Sequence, residues 1–476
     1  MAISGSQLAF QSATELSVRL RGGEVSAVQL VKACAEQFDH LNGRVNAIVT
    51  PVFDDARREA EQADRRRIRK EQLAPLHGLP LALKDMTETA GVRTTYGARL
   101  FEHHVPSEDA LLAQRLKASG AILIGKTNTP EFAVGINTTN GIFGTTCNPW
   151  DVSRTSGGSS GGSAVALATG MRVLAEGSDH GGSIRLPAAL NNVVGLRTSP
   201  GRIPSYPNSW VYDSFSVNGP MTRSVADAAL MLSVMAGPDA RVPISISEPG
   251  DAFARFRAPD HLRSWSVAWS PTLGGLFRVD PQVREVVARG AAWFAELGAN
   301  VEEAEPDLRE APEVIRTLRA VRAATVHQAQ LDVSDQLEGA WLREFLSRAQ
   351  HLSIAQVARA EALRSTLWQR AQTFFERYRL LLLPTSQFIA FPAERPYPER
   401  IDGVEVVDTI DAILSTYAIS ILGLPALSVP CGLAEDGTPV GLQIVGGWRR
   451  ELDVLEAGAA FERLRPWTAH YPPPVV

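Results

Sequence analysis

Short apolar runs alternate with helix-like stretches along this chain of 476 residues. In the N-terminal third, the runs LPLALKD and AILIGKT stand among stretches such as SAVQLVKACAEQFDHL and SEDALLAQRLKASG. This alternation predicts an α/β fold, in which helices pack on a sheet. Further strand candidates, each bounded by Gly, Pro or Ser, are NNVVGLRT, SWSVAWS, RLLLLPT, PALSVPCG and PVGLQIVG.

One long region departs from the alternation. Between about Asp280 and Arg379 the pattern is almost wholly helical. Because strand candidates resume after this region, we interpret it as an insertion that covers the sheet and not as an independent domain.

Charge and cysteine usage exclude several classes of protein. The net charge of −5 and the pI near 6.0 argue against a nucleic-acid-binding surface, which usually needs a basic face. Three cysteines without CxxC spacing suit a reducing compartment and give neither a disulfide framework nor a zinc site. The start of the chain lacks the pattern of a signal peptide, and no apolar run approaches the roughly 18 residues of a membrane span. We therefore expect a cytoplasmic protein without nucleic-acid or membrane partners.

The Gly/Ser-rich segment TSGGSSGGSA, residues 155–164, could be a flexible linker by composition alone. It is followed directly by AVALATG, an apolar run of small residues typical of a buried helix, and soon afterwards by a second glycine pair in GSDHGGSIR. A linker normally opens into a new domain with a polar margin. This segment opens into core, which favours a shaped backbone over a spacer.

Two short motifs match well-known signatures only in part. Residues 120–127 fit the GxxxxGK[ST] pattern of a phosphate-binding loop, but residues 121–124 have the pattern of a buried strand and no helix pattern begins at Thr127. Residues 157–161 fit the GxSxG nucleophile elbow, but the preceding NPWDVSRTS is not strand-like and the downstream histidines have no obvious acid partner. A Ser-His-Asp hydrolase nevertheless remains an alternative. No spacing typical of metal ligands occurs, so no metal site is predicted.

A lysine and a glycine-flanked serine offer a different chemistry. Lys84 ends the apolar run GLPLALKD, where burial would favour the neutral, proton-accepting amine. Ser183 lies in GGSIR, where glycines allow backbone N–H groups to converge on one point, as an oxyanion hole requires. Serine becomes a nucleophile when a base removes its proton, and lysine could be that base. The simpler alternative is that Lys84 pairs with Asp85 or another carboxylate and that the glycines only form turns.

These residues lie within a series of longer motifs that resembles the amidase signature family of hydrolases. The motifs are PLALKD, GKTNTPEF, NPWDVSRTSGGSSGGSA, GSDHGGSIRLPA, GLRTSPGRIP, GPMTRSVADAALML, GLPALSVPCG and GTPVGLQIVGG. The resemblance is absent from about residue 240 to 380, as is usual for the variable region of the family. It implies a large, mixed, twisted central β-sheet covered on both sides by helices. We therefore expect a single domain over residues 1–476, with an N-terminal helical part over 1–75 and a variable, mostly helical insertion over 240–380.

The resemblance also implies a Ser-Ser-Lys catalytic triad. In this sequence the lysine is Lys84, the bridging serine is Ser159 and the nucleophile is Ser183, and the cis peptide of the family falls between Gly158 and Ser159. Neutral Lys84 would accept a proton through Ser159 from Ser183, whose oxygen attacks the substrate carbonyl and forms an acyl-enzyme. Neither a metal nor an organic cofactor is needed.

Residues beside the nucleophile receive supporting roles. The backbone N–H groups of His180, Gly181, Gly182 and Ser183 would hold the oxyanion, and the backbone of Ala133 would lie near the bound carbonyl group. His180 stands where most relatives carry Thr, Ile or Leu, so its imidazole could alter substrate contacts or the pH dependence.

Further side chains could support or line the site. Asp179 and Arg185 flank the nucleophile and could pair to hold the glycine turn. Trp210, Tyr212 and Phe215 are candidates either for a substrate pocket or for plain core.

The predicted function is hydrolysis of a carboxamide C–N bond in a small molecule, with anilides and carbamates (a urethanase-type activity) as further substrates. The main alternative within the family is the glutamine-amidase subunit of an aminoacyl-tRNA amidotransferase. Leu186 mildly disfavours that subunit, which usually carries Gln at this position. We expect a monomer or a homodimer.

Overall fold

A computed structural model describes residues 5–330 and 337–467, and its centre is one mixed sheet of eleven strands. The strand order is β1-β3-β2-β6-β8-β7-β14-β15-β11-β9-β10. These strands are β1 (Ile48–Pro51), β2 (Pro80–Lys84), β3 (Ile122–Thr127), β6 (Leu174–Asp179), β7 (Val194–Arg197), β8 (Val217–Thr222), β9 (Ser266–Trp269), β10 (Asn300–Glu303), β11 (Leu380–Pro384), β14 (Ala426–Leu433) and β15 (Pro439–Gly446). Two small hairpins add β4 (Thr139–Asn140) with β5 (Gly144–Thr145) and β12 (Arg400–Ile401) with β13 (Val404–Glu405).

The direction of the strands sets where the functional loops begin. β3, β2 and β6 are parallel neighbours, with Leu81 opposite Leu123 on one side and Leu174 on the other. Carboxyl ends of parallel strands meet at one edge of a sheet, so the loops after β2 and β6 leave from the same edge. Along the sheet from β6 through β8, β7, β14 and β15 to β11, each strand pairs antiparallel with the next. Beyond these, β11, β9 and β10 form a second parallel group.

Helices flank this sheet and make up most of the remaining structure. They are α1 (Gly5–Ala9), α2 (Ala13–Gly22), α3 (Ala27–Val45), α4 (Phe53–Ile68), α5 (Leu111–Ala118), α6 (Gly161–Ala168), α7 (Arg185–Leu190), α8 (Val225–Met235), α9 (Asp251–Ala254), α10 (Pro281–Glu296), α11 (Ala311–Val326), α12 (Ala340–Gln350), α13 (Ile354–Arg377), α14 (Thr409–Ala412), α15 (Leu414–Ile421) and α16 (Glu451–Leu464). α10 and α16 pack on β14 and β15, and α6 packs on β2, β3, β6 and β8. In the described part of the chain, no helix is long and apolar enough to cross a membrane.

The helix after the Gly/Ser-rich segment shows why that segment needs its glycines. Every residue of α6 is buried, as expected for AVALATG. A Cβ atom at Gly162 would overlap the backbone of Asn128, and one at Gly161 would overlap the side chains of Thr138 and Ser156. The absence of side chains lets this helix begin within the core, so the segment is not a linker.

The strand and helix predictions are confirmed where the sequence pattern is strong. All seven runs named as strand candidates form strands, from β2 to β15, and residues 120–127 end in β3 without forming a phosphate-binding loop. Two central strands, β6 and β8, were not predicted. Their segments LAEGSD and VNGPMT mix glycine, proline and polar residues with the apolar ones, because both approach the functional loops.

Two regions expected to be helical also contribute strands. The stretch from about Asp280 to Arg379 contains α10 to α13 but also β10, so the prediction of an almost wholly helical stretch is wrong at Asn300–Glu303. This edge strand, NVEE, is largely exposed and lacks the apolar run that marks buried strands. The N-terminal 75 residues contain α1 to α4 and the short edge strand β1.

Candidate active site

Lys84 is the last residue of β2, and its side chain is fully buried. Its ammonium nitrogen lies 2.7 Å from Ser159 Oγ, 3.0 Å from Ser160 Oγ and 3.0 Å from Ser178 Oγ. Among the described residues, no carboxylate forms a salt bridge with Lys84, so the simple ion-pair alternative is wrong. The nitrogen is held by three hydroxyl groups.

This environment controls the charge of the lysine. Burial lowers the pKa of Lys84 to about 7, against the opposing influence of the Glu176 and Asp179 charges. Glu176 is itself buried, and its Oε1 accepts hydrogen bonds from the Lys84 backbone N–H (2.7 Å) and the Thr87 hydroxyl (2.8 Å). A substantial fraction of Lys84 is therefore neutral near pH 7 and can accept a proton.

Ser159 and Ser160 lie just before α6 and are both buried. The Gly158–Ser159 peptide is cis, and Gly157 adopts a left-handed φ of 72°. Thr138 holds this turn, because its hydroxyl donates to the Gly157 carbonyl oxygen at 2.8 Å. The Ser160 N–H donates to the Ser183 carbonyl oxygen at 3.1 Å, so the two serine-containing loops are in direct contact.

The loop after β6 carries Ser183 and is built around the buried carboxylate of Asp179. Asp179 Oδ1 lies 2.8 Å from Arg185 Nη2 and 3.1 Å from Arg197 Nη1. The same carboxylate accepts the N–H of Gly182 at 3.0 Å and that of Ile184 at 3.2 Å. Burial opposes ionisation of Asp179, but the two arginines and these N–H donors outweigh it and hold its pKa below the usual range. Asp179 and Arg185 are thus paired, and the turn closes around them.

The same hydrogen bonds narrow the choice of oxyanion donors. The Gly182 N–H is committed to Asp179, although it was one of the predicted donors. No acceptor is present for the N–H groups of Gly181 and Ser183 within the described chain. Gly182 has φ of 128°, and a Cβ atom there would overlap the Thr416 hydroxyl, so glycine is required at this position.

A small cavity that is partly open to solvent lies in front of Ser183. Ala133 lines it from a short 3-10 turn, Glu131–Ala133, and adopts a left-handed φ of 58°. Most of the lining is apolar, which suits an organic substrate. The lining residues are Ala133, Val134, Gly135, Ile136, Gly158, Gly181, Gly182, Ser183, Leu186, Arg319, Trp341, Phe345, Thr409, Ile410, Ile413 and Tyr417.

His180 lies behind this lining and is not bound to either serine. Its Nε2 lies 2.6 Å from the Tyr417 hydroxyl, and Arg319 is a further neighbour of Tyr417. Burial, together with Arg319, Arg322 and other arginines, lowers the pKa of His180 well below its ordinary value. The imidazole is therefore neutral.

The three aromatic candidates lie outside the cavity lining. Phe215 is buried with its ring centroid 5.8 Å from that of His180, so it belongs to the core behind the site. Tyr212 is 63% exposed. Trp210 is half-buried, and neither of them lines the cavity in front of Ser183.

Several residues of the site were missed by the sequence argument. Ser160 stands directly beside Ser159, and Glu176 and Ser178 alternate with glycine along β6, which was not predicted as a strand. Once β6 is known, its alternation places Glu176 and Ser178 on one face. Arg319 and Tyr417 come from helices in which nothing distinguishes them from their neighbours in the sequence.

The nucleophile-elbow alternative is not supported by this geometry. No named strand leads into Ser159, and no histidine of the described residues hydrogen-bonds Ser159 or Ser183. In the same part of the chain, no cluster of three or more His, Cys, Asp or Glu side chains could hold a metal ion.

Comparisons with known proteins agree with this architecture. The family described as Amidase matches residues 29–455. The chain is 37% identical over 463 residues to an acylamidase of Rhodococcus erythropolis, covering 97% of each protein. It is 35% identical over 485 residues to a glutamyl-tRNA(Gln) amidotransferase subunit of Moorella thermoacetica, covering 96% of this chain and 97% of the relative. A solved bacterial aryl acylamidase superposes with a TM-score of 0.90 at 29% identity, covering 98% of each chain.

The fold and these relatives define a hydrolase of non-peptide carbon–nitrogen bonds. The chain belongs to the amidase signature family.

Proposed function

We propose that this enzyme hydrolyses the carboxamide bond of a small organic amide through Ser183, Ser159 and Lys84. The observation that carries the proposal is the surroundings of Lys84. A buried amine with a pKa of about 7 that contacts serine hydroxyls and no carboxylate is a proton acceptor near neutral pH. An ion-paired lysine would remain charged and could not take a proton.

The first half of the reaction forms an acyl-enzyme. Ser183 Oγ attacks the carbonyl carbon while its proton passes to Ser159, which passes its own proton to neutral Lys84. The amides of Gly181 and Ser183 donate to the developing oxyanion, since both lack another acceptor in the described structure. The same relay returns a proton to the leaving nitrogen, the C–N bond breaks, and the amine departs.

The second half repeats the relay with water. A water molecule gives a proton to the relay and attacks the acyl-enzyme carbonyl. The ester bond to Ser183 breaks, Ser183 regains its proton, and the carboxylic acid leaves. The sum is amide plus water giving acid plus amine.

Intact-protein mass spectrometry with an activated para-nitroanilide tests this proposal. The wild type should gain the mass of the acyl group during turnover, and Ser183→Ala should neither gain that mass nor release amine. Ser163→Ala is a matched control, because Ser163 is buried in α6 and bonds Thr127 and the Glu176 carbonyl instead of Lys84. A covalent adduct that persists in folded Ser183→Ala contradicts the proposed nucleophile.

A second candidate function is the glutamine-amidase role of an amidotransferase subunit, which is favoured by the 35% identical relative. The isolated chain distinguishes the two. Rapid hydrolysis of acetanilide by the chain alone supports the stand-alone amidase. Glutamine hydrolysis that requires partner subunits, together with failure to cleave simple amides, would favour the amidotransferase role.

The acyl and leaving groups also belong to the proposal. The largely apolar cavity supports anilides and aryl carbamates as well as simple amides. Steady-state kinetics on an amide, an anilide and a carbamate with one acyl skeleton would rank them, and failure of all three would contradict this choice of substrates.

A further inference from the structure

Three arginines on α11 follow one another at a spacing of three residues, so they lie along one side of the helix. Arg316 pairs with Asp408 at 3.1 Å and Asp411 at 2.6 Å. Arg322 pairs with Asp213 at 2.8 Å. The middle arginine, Arg319, lines the cavity in front of Ser183 and forms no salt bridge with any described residue. The two neighbours are neutralised and the one that faces the cavity is not.

The side chain of Arg319 is held in place by uncharged groups. Its guanidinium lies over the Phe345 ring, 4.9 Å from the centroid, and Tyr417 is its other uncharged neighbour. A guanidinium has five N–H donors, and one tyrosine hydroxyl accepts few of them. Arg319 is the one charged residue in the mostly apolar lining of the cavity.

The charges behind Arg319 do not supply a counter-ion. Arg364 lies over the Phe215 ring at 3.9 Å and donates to the Ile421 carbonyl and the Ser214 hydroxyl, without a salt bridge among the described residues. Arg185 and Arg197 share the single carboxylate of Asp179. This wall of the site therefore carries more positive than negative charge, although the chain has a net charge of −5. A partly buried cation without a partner favours binding of an anionic ligand.

We propose that Arg319 binds an anionic group of the substrate, so that the preferred substrates are amides that carry a carboxylate. The inference rests on the proposed amidase function and adds a substrate class to it. A planar guanidinium in a largely desolvated pocket forms two parallel hydrogen bonds with a carboxylate, which gives both orientation and discrimination. Phe345 and Tyr417 fix the orientation of the fork before the substrate arrives.

Two matched pairs of substrates test the proposal on either side of the scissile bond. The acyl-side pair is glutaryl and pentanoyl para-nitroanilide, and the amine-side pair is para-acetamidobenzoate and para-acetamidotoluene. Within each pair one member carries a carboxylate and the other is neutral. The wild type should show the higher kcat/KM for the anionic member of at least one pair.

Variants then assign the preference to Arg319. Arg319→Gln should lower kcat/KM for the preferred anionic member by about ten- to a hundredfold and change its neutral counterpart by less than about threefold. Arg319→Lys should retain part of the preference, since it keeps the charge but loses the fork. Arg359→Gln is the control, because it removes the same charge from an exposed residue of α13 paired with Glu313.

The outcomes separate this inference from the proposed function. Efficient cleavage of neutral anilides with no preference for either anionic member overturns the inference and leaves the amidase function intact. An anionic preference that Arg319→Gln retains also overturns it. If Arg319→Gln fails to fold, inhibition of the wild type decides instead: glutarate should inhibit more strongly than butyramide, and equal inhibition contradicts the proposal. Absence of any amide cleavage by the wild type, with the acyl-enzyme also absent, would be a failure of the proposed function itself.

Discussion

Two buried lysines lie on neighbouring strands of the same sheet, and they differ in what surrounds the amine. Lys84 ends β2, and Lys126 lies on β3 opposite Leu83. Burial lowers the pKa of both, to about 7 for Lys84 and about 8 for Lys126. Lys84 contacts three serine hydroxyls, whereas Lys126 donates to the Thr87 carbonyl and to the hydroxyls of Thr89 (3.1 Å) and Thr94 (3.0 Å).

The difference lies in where a proton could go. The hydroxyl of Ser159 continues from Lys84 into a loop that contacts the Ser183 loop, and Gly158 and Ser183 border one cavity. Lys126 ties down the loop of residues 87–94, and the strongest charge that opposes its pKa shift is Asp85. A lowered lysine pKa alone does not identify a catalytic base, and the proposed base is the lysine whose hydroxyl contacts lead toward Ser183.

The largest expected effect comes from exchanging the two lysines separately for methionine. Lys84→Met should lower kcat by about a thousandfold or more, because the base is lost. Lys126→Met should keep kcat within about tenfold and lower the free energy of unfolding by about 1–3 kcal/mol, since three acceptors lose their donor. Amide hydrolysis assays and urea denaturation of both variants measure the two effects. Equal losses of activity would remove the distinction between the lysines.

The next comparison is between adjacent serines that both contact Lys84. Ser159→Ala should lower kcat by about a hundredfold or more, because it interrupts the relay. Ser160→Ala should lower it by no more than about tenfold, since Ser160 contacts Ser183 through its backbone N–H, which alanine keeps. Far-ultraviolet circular dichroism checks that both variants fold. A larger loss in Ser160→Ala would place the relay through Ser160 instead.

The surroundings of Lys84 could be predicted from the sequence better than those of Lys126, because the residues next to each lysine in the chain differ. Lys84 follows a clean apolar run and stands in a long family motif, so both its strand and its burial could be predicted. Lys126 occurs in a pattern that resembles a phosphate-binding loop, and only the strand-like residues before it argue against that function. Its actual partners come from a loop 32 to 39 residues earlier in the chain, which no local pattern indicates.

The walls of the site could be predicted least. The Ser159 and Ser183 segments carry glycines that only a tight backbone requires, so their place in the site could be anticipated. Arg319 and Tyr417 lie on helices, and ordinary helical periodicity describes them equally well as surface or core residues. Their contact with the cavity depends on how α11 and α15 pack, which is a long-range property.

The pH dependence of activity examines the Lys84 side of the comparison. In the proposed mechanism the neutral amine is the active form, so kcat/KM should rise with pH through about 7 and then level off. The Glu176 carboxylate favours the charged form of Lys84, so Glu176→Gln should move this rise to lower pH. Lys126→Met is the control and should leave its position nearly unchanged. A rise that stays in place in Glu176→Gln would show that another group controls the profile.

The pH dependence of stability examines the Lys126 side, where the effect is smallest. The pKa of Lys126 is about 8 in the folded protein against an ordinary value of 10.5. Between these values the unfolded chain binds the proton and the folded protein does not, so this lysine makes the free energy of unfolding increase with pH, by at most about 1.4 kcal/mol per pH unit. This contribution is fully present above pH 10.5 and is lost as the pH falls through about 8. Urea denaturation should therefore show the difference between the wild type and Lys126→Met growing over this window. Titrating groups that Lys126 does not influence cancel in the difference, and parallel stability curves would mean that Lys126 titrates normally despite its burial.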